Sequence, residues 1–190
     1  MTEKKIQIIA PVLLDELTQR AIGSARQRTN HNFHQTYDEN PNRFLNVMVK
    51  GTYVTPHRHT TPPKSESFVV LRGQLLFLIF DDQGGLQSAT RLGAHGYHRD
   101  SAQQATSCRT GADDNYGIDI APGIWHSIIV ESETAVCFEV KPGPYAPASD
   151  KDFAPWAPRE GASECLKYAA DLYALALQHL GGSTAFQSEK

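Results

Sequence analysis

The rhythm of apolar and polar positions changes along the chain. Between Pro11 and Arg28, residues Val12, Leu13, Glu16, Leu17, Arg20 and Ala21 follow a 3.6-residue period with a mixed apolar face. Pro11 suits a first helical position, so the spacing predicts a helix over 11–28. Residues 30–42 are polar and aromatic (His31, Phe33, His34, Tyr37) and end in Asn-Pro-Asn, which reads as a loop packed on the main body. From Phe44 to Lys141, short β-branched and aromatic runs alternate with Gly, Pro and Asp clusters. Strands are expected at 44–50, 53–59, 66–72, 74–81, 86–92, 116–121, 127–131 and 135–141, with a hairpin turn at 81–85. About eight short strands in that space predict an antiparallel sandwich or barrel.

Two stretches break the pattern. Residues 93–115 form a long polar connection carrying His95, His98 and Cys108, and are expected to be a solvated insertion. Residues 142–158 are rich in proline, which a sheet interior does not accept. They are expected to wrap the barrel as coil, with Phe153 and Trp156 as anchors. A second helix is expected from Ser163 to Leu180, ended by Gly181-Gly182. Its stripe of Leu166, Ala170, Tyr173, Leu177 and Leu180 is expected to pack on the barrel or on a neighbouring subunit. The organisation read from the sequence is thus an N-terminal helix and loop (1–42), a barrel (43–158) and a C-terminal helix and tail (159–190).

Composition narrows the function classes. Of 190 residues 40% are hydrophobic and 21% charged, which fits a folded chain rather than a disordered one. The formal net charge is -3, so nucleic acid is not an expected partner. No apolar run is long enough to span a bilayer. Cys108, Cys137 and Cys165 are widely spaced, with no CxxC pair, and read as reduced thiols. No signal peptide is read at the N-terminus, and the expected location is the cytoplasm.

The candidate chemistry lies in the histidines. His57 and His59 are two apart on an expected strand, and i, i+2 side chains share a face. Glu66 opens the next strand, and His126 follows the Pro122-Gly123 turn. Three imidazoles and a carboxylate suit one divalent first-row ion, whether Fe, Mn, Ni, Cu or Zn. The same periodicity turns Tyr53 and Thr55, Phe68 and Val70, and Ile128 and Val130 inward. Tyr53 and Glu139 are the catalytic candidates, and Lys141, Phe68 and Trp125 the substrate-binding candidates. Glu139 and Lys141 share one face of the last strand, opposite Phe138 and Val140. Because Phe138 and Val140 are better core residues, the Glu/Lys pair is expected outside. Facing inward, Glu139 would orient an imidazole and Lys141 would bind an anionic substrate. Arg58, between the ligands, should point away into a salt bridge.

These residues carry a resemblance. Gly51-Thr52-Tyr53-Val54-Thr55-Pro56-His57-Arg58-His59, then Glu66 and Gly73, resemble the first cupin motif, G-x5-H-x-H-x(3,4)-E-x6-G. Gly117 and Pro122-Gly123-Ile124-Trp125-His126 resemble the second. Six residues rather than three or four separate His59 from Glu66, Pro122 and Gly123 are adjacent, and Val130 stands where the motif has Asn. Leu71-Arg72-Gly73, Phe80-Asp81-Asp82, Glu139-Val140-Lys141-Pro142-Gly143-Pro144-Tyr145 and Asp152-Phe153-Ala154-Pro155-Trp156-Ala157-Pro158 extend the likeness, over about residues 28–158, to the WbuC family of cupin-fold metalloproteins. That resemblance implies an all-β chain: a single cupin β-barrel, or double-stranded antiparallel β-helix, here with a helix at each end. It also implies a mononuclear metal at His57, His59, Glu66 and His126, and a place in O-antigen-type surface polysaccharide synthesis.

The expected function is metal-dependent action on a small molecule, a sugar or nucleotide-sugar, by isomerase, epimerase or hydrolase chemistry resting on Lewis acidity. The alternatives are an Fe(II) dioxygenase and a non-catalytic sensor or structural metal barrel. A homodimer is expected by analogy alone.

Overall fold

A computed structural model describes residues 6–94, 115–146 and 150–182. The interior of the expected insertion, with His95, His98 and Cys108, lies outside the described residues. Helix α1 (Pro11–Ile22) buries Leu14, Leu17 and Ala21 against Leu45, Val47 and Val136. It stops at Ile22 rather than Arg28: Gly23 caps it, and Gln27 takes a left-handed φ of 54°. The chain then enters β1 (Arg28–Asn32), a strand where a loop was expected. Both of its faces are polar, so it lacks the alternation by which half-buried strands are read.

β1 pairs antiparallel with β2 (Asn42–Val49). The remaining strands are β3 (His57–Arg58), β4 (Glu66–Arg72), β5 (Gln74–Phe80), β6 (Leu86–Gly93), β7 (Gly117–Ile120), β8 (Trp125–Val130), β9 (Thr134–Lys141) and β10 (Asp152–Phe153). They form two five-stranded sheets, ordered β1-β2-β9-β4-β7 and β10-β3-β8-β5-β6. Every strand pairing is antiparallel, giving the double-stranded β-helix expected from the sequence. Of the strand expected at 53–59, only His57–Arg58 joins a ladder. Pro56, just before it, has no N–H to donate.

Between the sheets, Phe68, Val70, Phe77, Ile128 and Val130 form an apolar core, as the period of β4 and β8 required. It fills one end of the barrel and leaves the other polar. Helix α2 (Cys165–Gly182) covers the outer face of the second sheet. Leu172 and Ala176 are buried, flanked by Tyr168, Tyr173 and Leu180. Leu166, at 75% exposure, and Leu177 face away, so the expected stripe is rotated around the helix. Trp156 anchors the proline-rich wrap against Phe80 and Trp125, but Phe153 is exposed. No helix among the described residues is long and apolar enough to cross a membrane.

Gly73, the last glycine of the first motif, joins β4 to β5 with a φ of 74°. A methyl group there would overlap the Thr134 carbonyl and the Ser132 hydroxyl. The left-handed backbone and the overlap together make Gly73→Ala cost about 3 kcal/mol. Thermal unfolding checks this: a chain of this size should lose about 6–12 °C.

Candidate metal centre and its cavity

The four expected ligands meet at the polar end of the barrel. His57 lies directly opposite His126 in the β3–β8 ladder. Arg58, between His57 and His59, points out, stacks 4.3 Å above the Trp125 ring and pairs with Asp82 at 3.1 Å. Glu66 opens β4 in the other sheet, so its carboxylate crosses the barrel to the imidazoles. The long spacing from His59 is taken up by a compact turn in which Thr60 bridges to Pro63. Gly123, at a φ of 81°, bends the chain ahead of His126, and its N–H donates to the His59 carbonyl. All four side chains are buried, and one donor atom from each lies within 4.8 Å of the others.

Their tautomers follow from the hydrogen bonds. Nδ1 of His57 lies 2.9 Å from the Thr55 carbonyl, and Nδ1 of His126 2.9 Å from the Ile124 carbonyl. Nδ1 of His59 meets the Asp150 carbonyl. A carbonyl only accepts, so each Nδ1 carries a proton, and a neutral ring would turn its Nε2 lone pair inward. Glu66 Oε1 then sits 3.0 Å from His59 Nε2, and Oε2 3.1 Å from His126 Nε2. With neutral rings these would be lone pairs facing lone pairs, and His59 Nε2, His126 Nε2 and Glu66 Oε2 are buried without a hydrogen-bond partner. Buried polar atoms are normally satisfied. A shared cation satisfies all of them at once, and three imidazoles with a carboxylate fit a divalent first-row ion.

The electrostatics support a neutral ring at His57. Burial, aided by Lys151 and His126, holds the His57 imidazole well below its usual pKa of 6.5, keeping the ring neutral. Burial opposes ionisation of Glu66, and the Lys141 ammonium 3.2 Å from it favours the carboxylate. Phe77 stacks on the His126 ring, 5.6 Å between centroids and 12° from parallel, and closes the apolar side.

A cavity of about 360 Å³ opens from His57. One wall carries Asn30 and Asn32 of β1 and Asn42 and Asn46 of β2; Tyr37, Phe44, Tyr145 and Phe153 add aromatic surface. Phe153, expected to be an anchor, instead sits at this wall 6.2 Å from the His57 ring.

The remaining candidates divide. Glu139 and Lys141 face inward, each 5% exposed, contrary to the outward placement expected from the neighbouring Phe138 and Val140. Helix α1 covers the outside of that sheet, so Phe138 packs outward with Phe33 and the α1 side chains. Burial, reinforced by Glu66, pushes the Glu139 carboxyl up to about 8. Lys141 is not free for an anion: its ammonium lies 3.2 Å from Glu66 Oε1 and 3.0 Å from Asp150 Oδ2. Tyr53 is not brought to the centre; its hydroxyl donates to the Pro158 carbonyl and its ring meets Tyr168. Trp125 points out of the barrel, with its indole N–H on Asp82. Phe68 belongs to the apolar core, 5.5 Å from Phe77. The sequence reading missed the asparagine wall and also Lys64, Asp150 and Lys151. Asn30 and Asn32 sit two apart, the one signal that marked a shared face.

Comparison with known proteins agrees with this fold. A family model described as a domain of unknown function, DUF6016, matches residues 9–92. No curated protein matches. An uncharacterised conserved protein with a double-stranded β-helix domain from Klebsiella pneumoniae is similar at 13% identity and a TM-score of 0.50, over 79% of this chain and 98% of that one. CapF bound to the inhibitor 3-isopropenyl-tropolone is similar at 17% identity and a TM-score of 0.50, over 68% of this chain. The capsular polysaccharide assembling protein CapF from Staphylococcus aureus gives 19% identity over 68% of this chain, at a TM-score of 0.48. This chain spans 32% and 30% of the length of those two CapF chains. The fold is that of the cupins.

Proposed function

We propose that this chain is a mononuclear metal-binding cupin that acts on a small polar molecule, a sugar or nucleotide-sugar intermediate of surface polysaccharide synthesis. The observation that carries the reading is the group of inward Nε2 and carboxylate atoms that one shared cation would satisfy together. His57, His59, Glu66 and His126 would hold the ion, which supplies Lewis acidity toward a carbonyl or hydroxyl oxygen. The polysaccharide pathway rests on the WbuC resemblance; CapF, a protein of similar fold, is described as assembling capsular polysaccharide.

The chain's own residues supply the rest. The asparagine wall offers amide donors and acceptors to hydroxyl groups, and the aromatic rings offer apolar faces, the usual mixture of a small-molecule site. Glu139 faces the cavity with a carboxyl that burial keeps protonated at neutral pH, so it can give a proton to substrate and take one back. Isomerisation, epimerisation and hydrolysis all need such a group and no oxidant.

The test is turnover of a nucleotide-sugar panel by metal-loaded protein, followed by NMR with and without oxygen. Equal turnover under both conditions is expected. Glu139→Gln should lower it about 10²-fold with the metal content unchanged. Oxygen-dependent turnover would replace this reading with the dioxygenase, and tight binding without turnover would replace it with a sensor.

A further inference from the structure

The cavity's charges are nearly all paired. At its mouth, Glu160 takes both Arg26 and Arg28, each at 2.6 Å. Deeper in, Asp150 takes Lys64 at 2.5 Å and Lys141 at 3.0 Å, and Lys141 also reaches Glu66 at 3.2 Å. Glu139 lies 3.9 Å from the same ammonium. Lys151 is the exception. It lines the cavity with His57, is only partly exposed, and makes no hydrogen bond or ion pair among the described residues. Burial first, then the Lys141 ammonium, lowers its pKa, while the Glu66, Glu139 and Asp150 carboxylates raise it without any of them standing within ion-pair distance.

A second orphan lies across the cavity. Asn46 turns its Nδ2 toward Glu139 Oε2 at 3.4 Å, while its Oδ1 is buried without a partner. That oxygen needs a donor, and a hydroxyl group is one. Among the described residues, a cation with no carboxylate in contact and an acceptor without a donor thus share one cavity beside the candidate metal ligands. A partly buried ammonium without a partner is costly, and an incoming anion removes that cost.

We propose that Lys151 is the anchor for an oxyanion on the substrate, so that the cavity selects a hydroxylated anion, a sugar bearing a carboxylate or a phosphate, over a neutral sugar. The inference rests on the cavity being the substrate site. It moves the anion-binding role from Lys141, whose charge is spent inside the barrel, to Lys151.

The experiment is calorimetric titration of metal-loaded and metal-free protein with glucuronate, glucose 1-phosphate and glucose, on wild type, Lys151→Met and Lys151→Arg, with metal content measured on every sample. Wild type should bind at least one of the anions roughly 10- to 100-fold more tightly than glucose, the worth of a charge-assisted contact. Lys151→Met should lose that preference at unchanged metal content, and Lys151→Arg should keep part of it. The anion that binds more tightly identifies the group as carboxylate or phosphate. Equal binding of glucose and both anions, no binding of any of the three, or an unchanged preference in Lys151→Met would overturn the proposal. If those results come from samples holding a full metal complement, the metal-cupin reading stands without it. Lys151-dependent anion binding by protein that takes up no metal would sink the metal reading and keep this one.

Discussion

Protein purified without an affinity tag should carry about one divalent first-row metal ion per chain, and His57→Ala/His59→Ala should carry none. Elemental analysis by plasma mass spectrometry reads this directly. The double variant removes two of the four donors that lie within 4.8 Å of one another. Loss of an outer partner of a metal ligand already costs 10–100-fold in affinity, so loss of two direct ligands should cost at least about 10⁴-fold. The effect on stability follows by mass action. At a free metal concentration of 1,000 Kd the ion adds about 4 kcal/mol, so a chelator should lower the wild-type Tm and leave the double variant unmoved.

The pH dependence has a definite sign. His57 is held below its ordinary pKa of 6.5, first by burial, so below that pH the unfolded chain binds a proton that the folded chain refuses. Stability from this group is therefore present above about 6.5 and lost as pH falls below it. Metal release runs in the same direction, because the imidazoles and the carboxylate bind the ion only when deprotonated. Retention of one ion per chain by a folded double variant would sink the assignment. Circular dichroism separates that outcome from loss of fold.

The four candidate ligands were legible because strand periodicity groups them. Period two sends His57 and His59 inward and Arg58 outward, and the alternation of Glu66, Phe68 and Val70 holds along the whole of β4. What failed depended on the layer outside each sheet. Glu139 and Lys141 were expected outside because Phe138 and Val140 are more apolar, and for a two-layer barrel that argument is sound. Here α1 adds a third layer, so the apolar face turns toward the helix and the charged face toward the cavity. The rotated stripe of α2 has a related cause. Leu166, Leu172, Leu175 and Leu177 put apolar side chains on several faces of that helix, and its sequence alone does not single out the one that packs.

β1 was hidden for the opposite reason. A strand whose inner face lines a polar cavity carries Asn30 and Asn32 where a core-facing strand would carry aliphatics. Lys64, Asp150 and Lys151 come from irregular segments, so only the tertiary fold brings them to the centre. Their absence from the sequence reading marks where the polar cavity departs from the packing pattern.

Asp150 is the residue of that set on which most depends. Its carboxylate is 1% exposed and lies between two buried ammonium groups, Lys64 at 2.5 Å and Lys141 at 3.0 Å. Its main-chain carbonyl receives the Nδ1 proton of His59. Burial opposes its ionisation, but Lys141 and Lys64 hold its pKa below 3.8, so the stabilisation it gives is present at neutral pH and lost as pH falls through that lowered value. Asp150→Asn keeps the shape and the main-chain carbonyl but removes the charge. Lys141 retains Glu66, while Lys64 is left in the interior with, among the described residues, the Pro144 carbonyl alone. Breaking a buried pair from one side costs about 3–5 kcal/mol, which for a chain of this size is a fall of about 6–20 °C in Tm. Lys64→Met added to Asp150→Asn should recover part of that loss, because it removes the uncompensated cation, and the double-mutant cycle reads the coupling. The His59 carbonyl contact survives in both variants, so a folded Asp150→Asn protein should still bind metal. An additive cycle would mean that Lys64 and Asp150 do not depend on one another. Metal lost from folded Asp150→Asn would mean that the carboxylate, and not the main-chain carbonyl, keeps His59 in place.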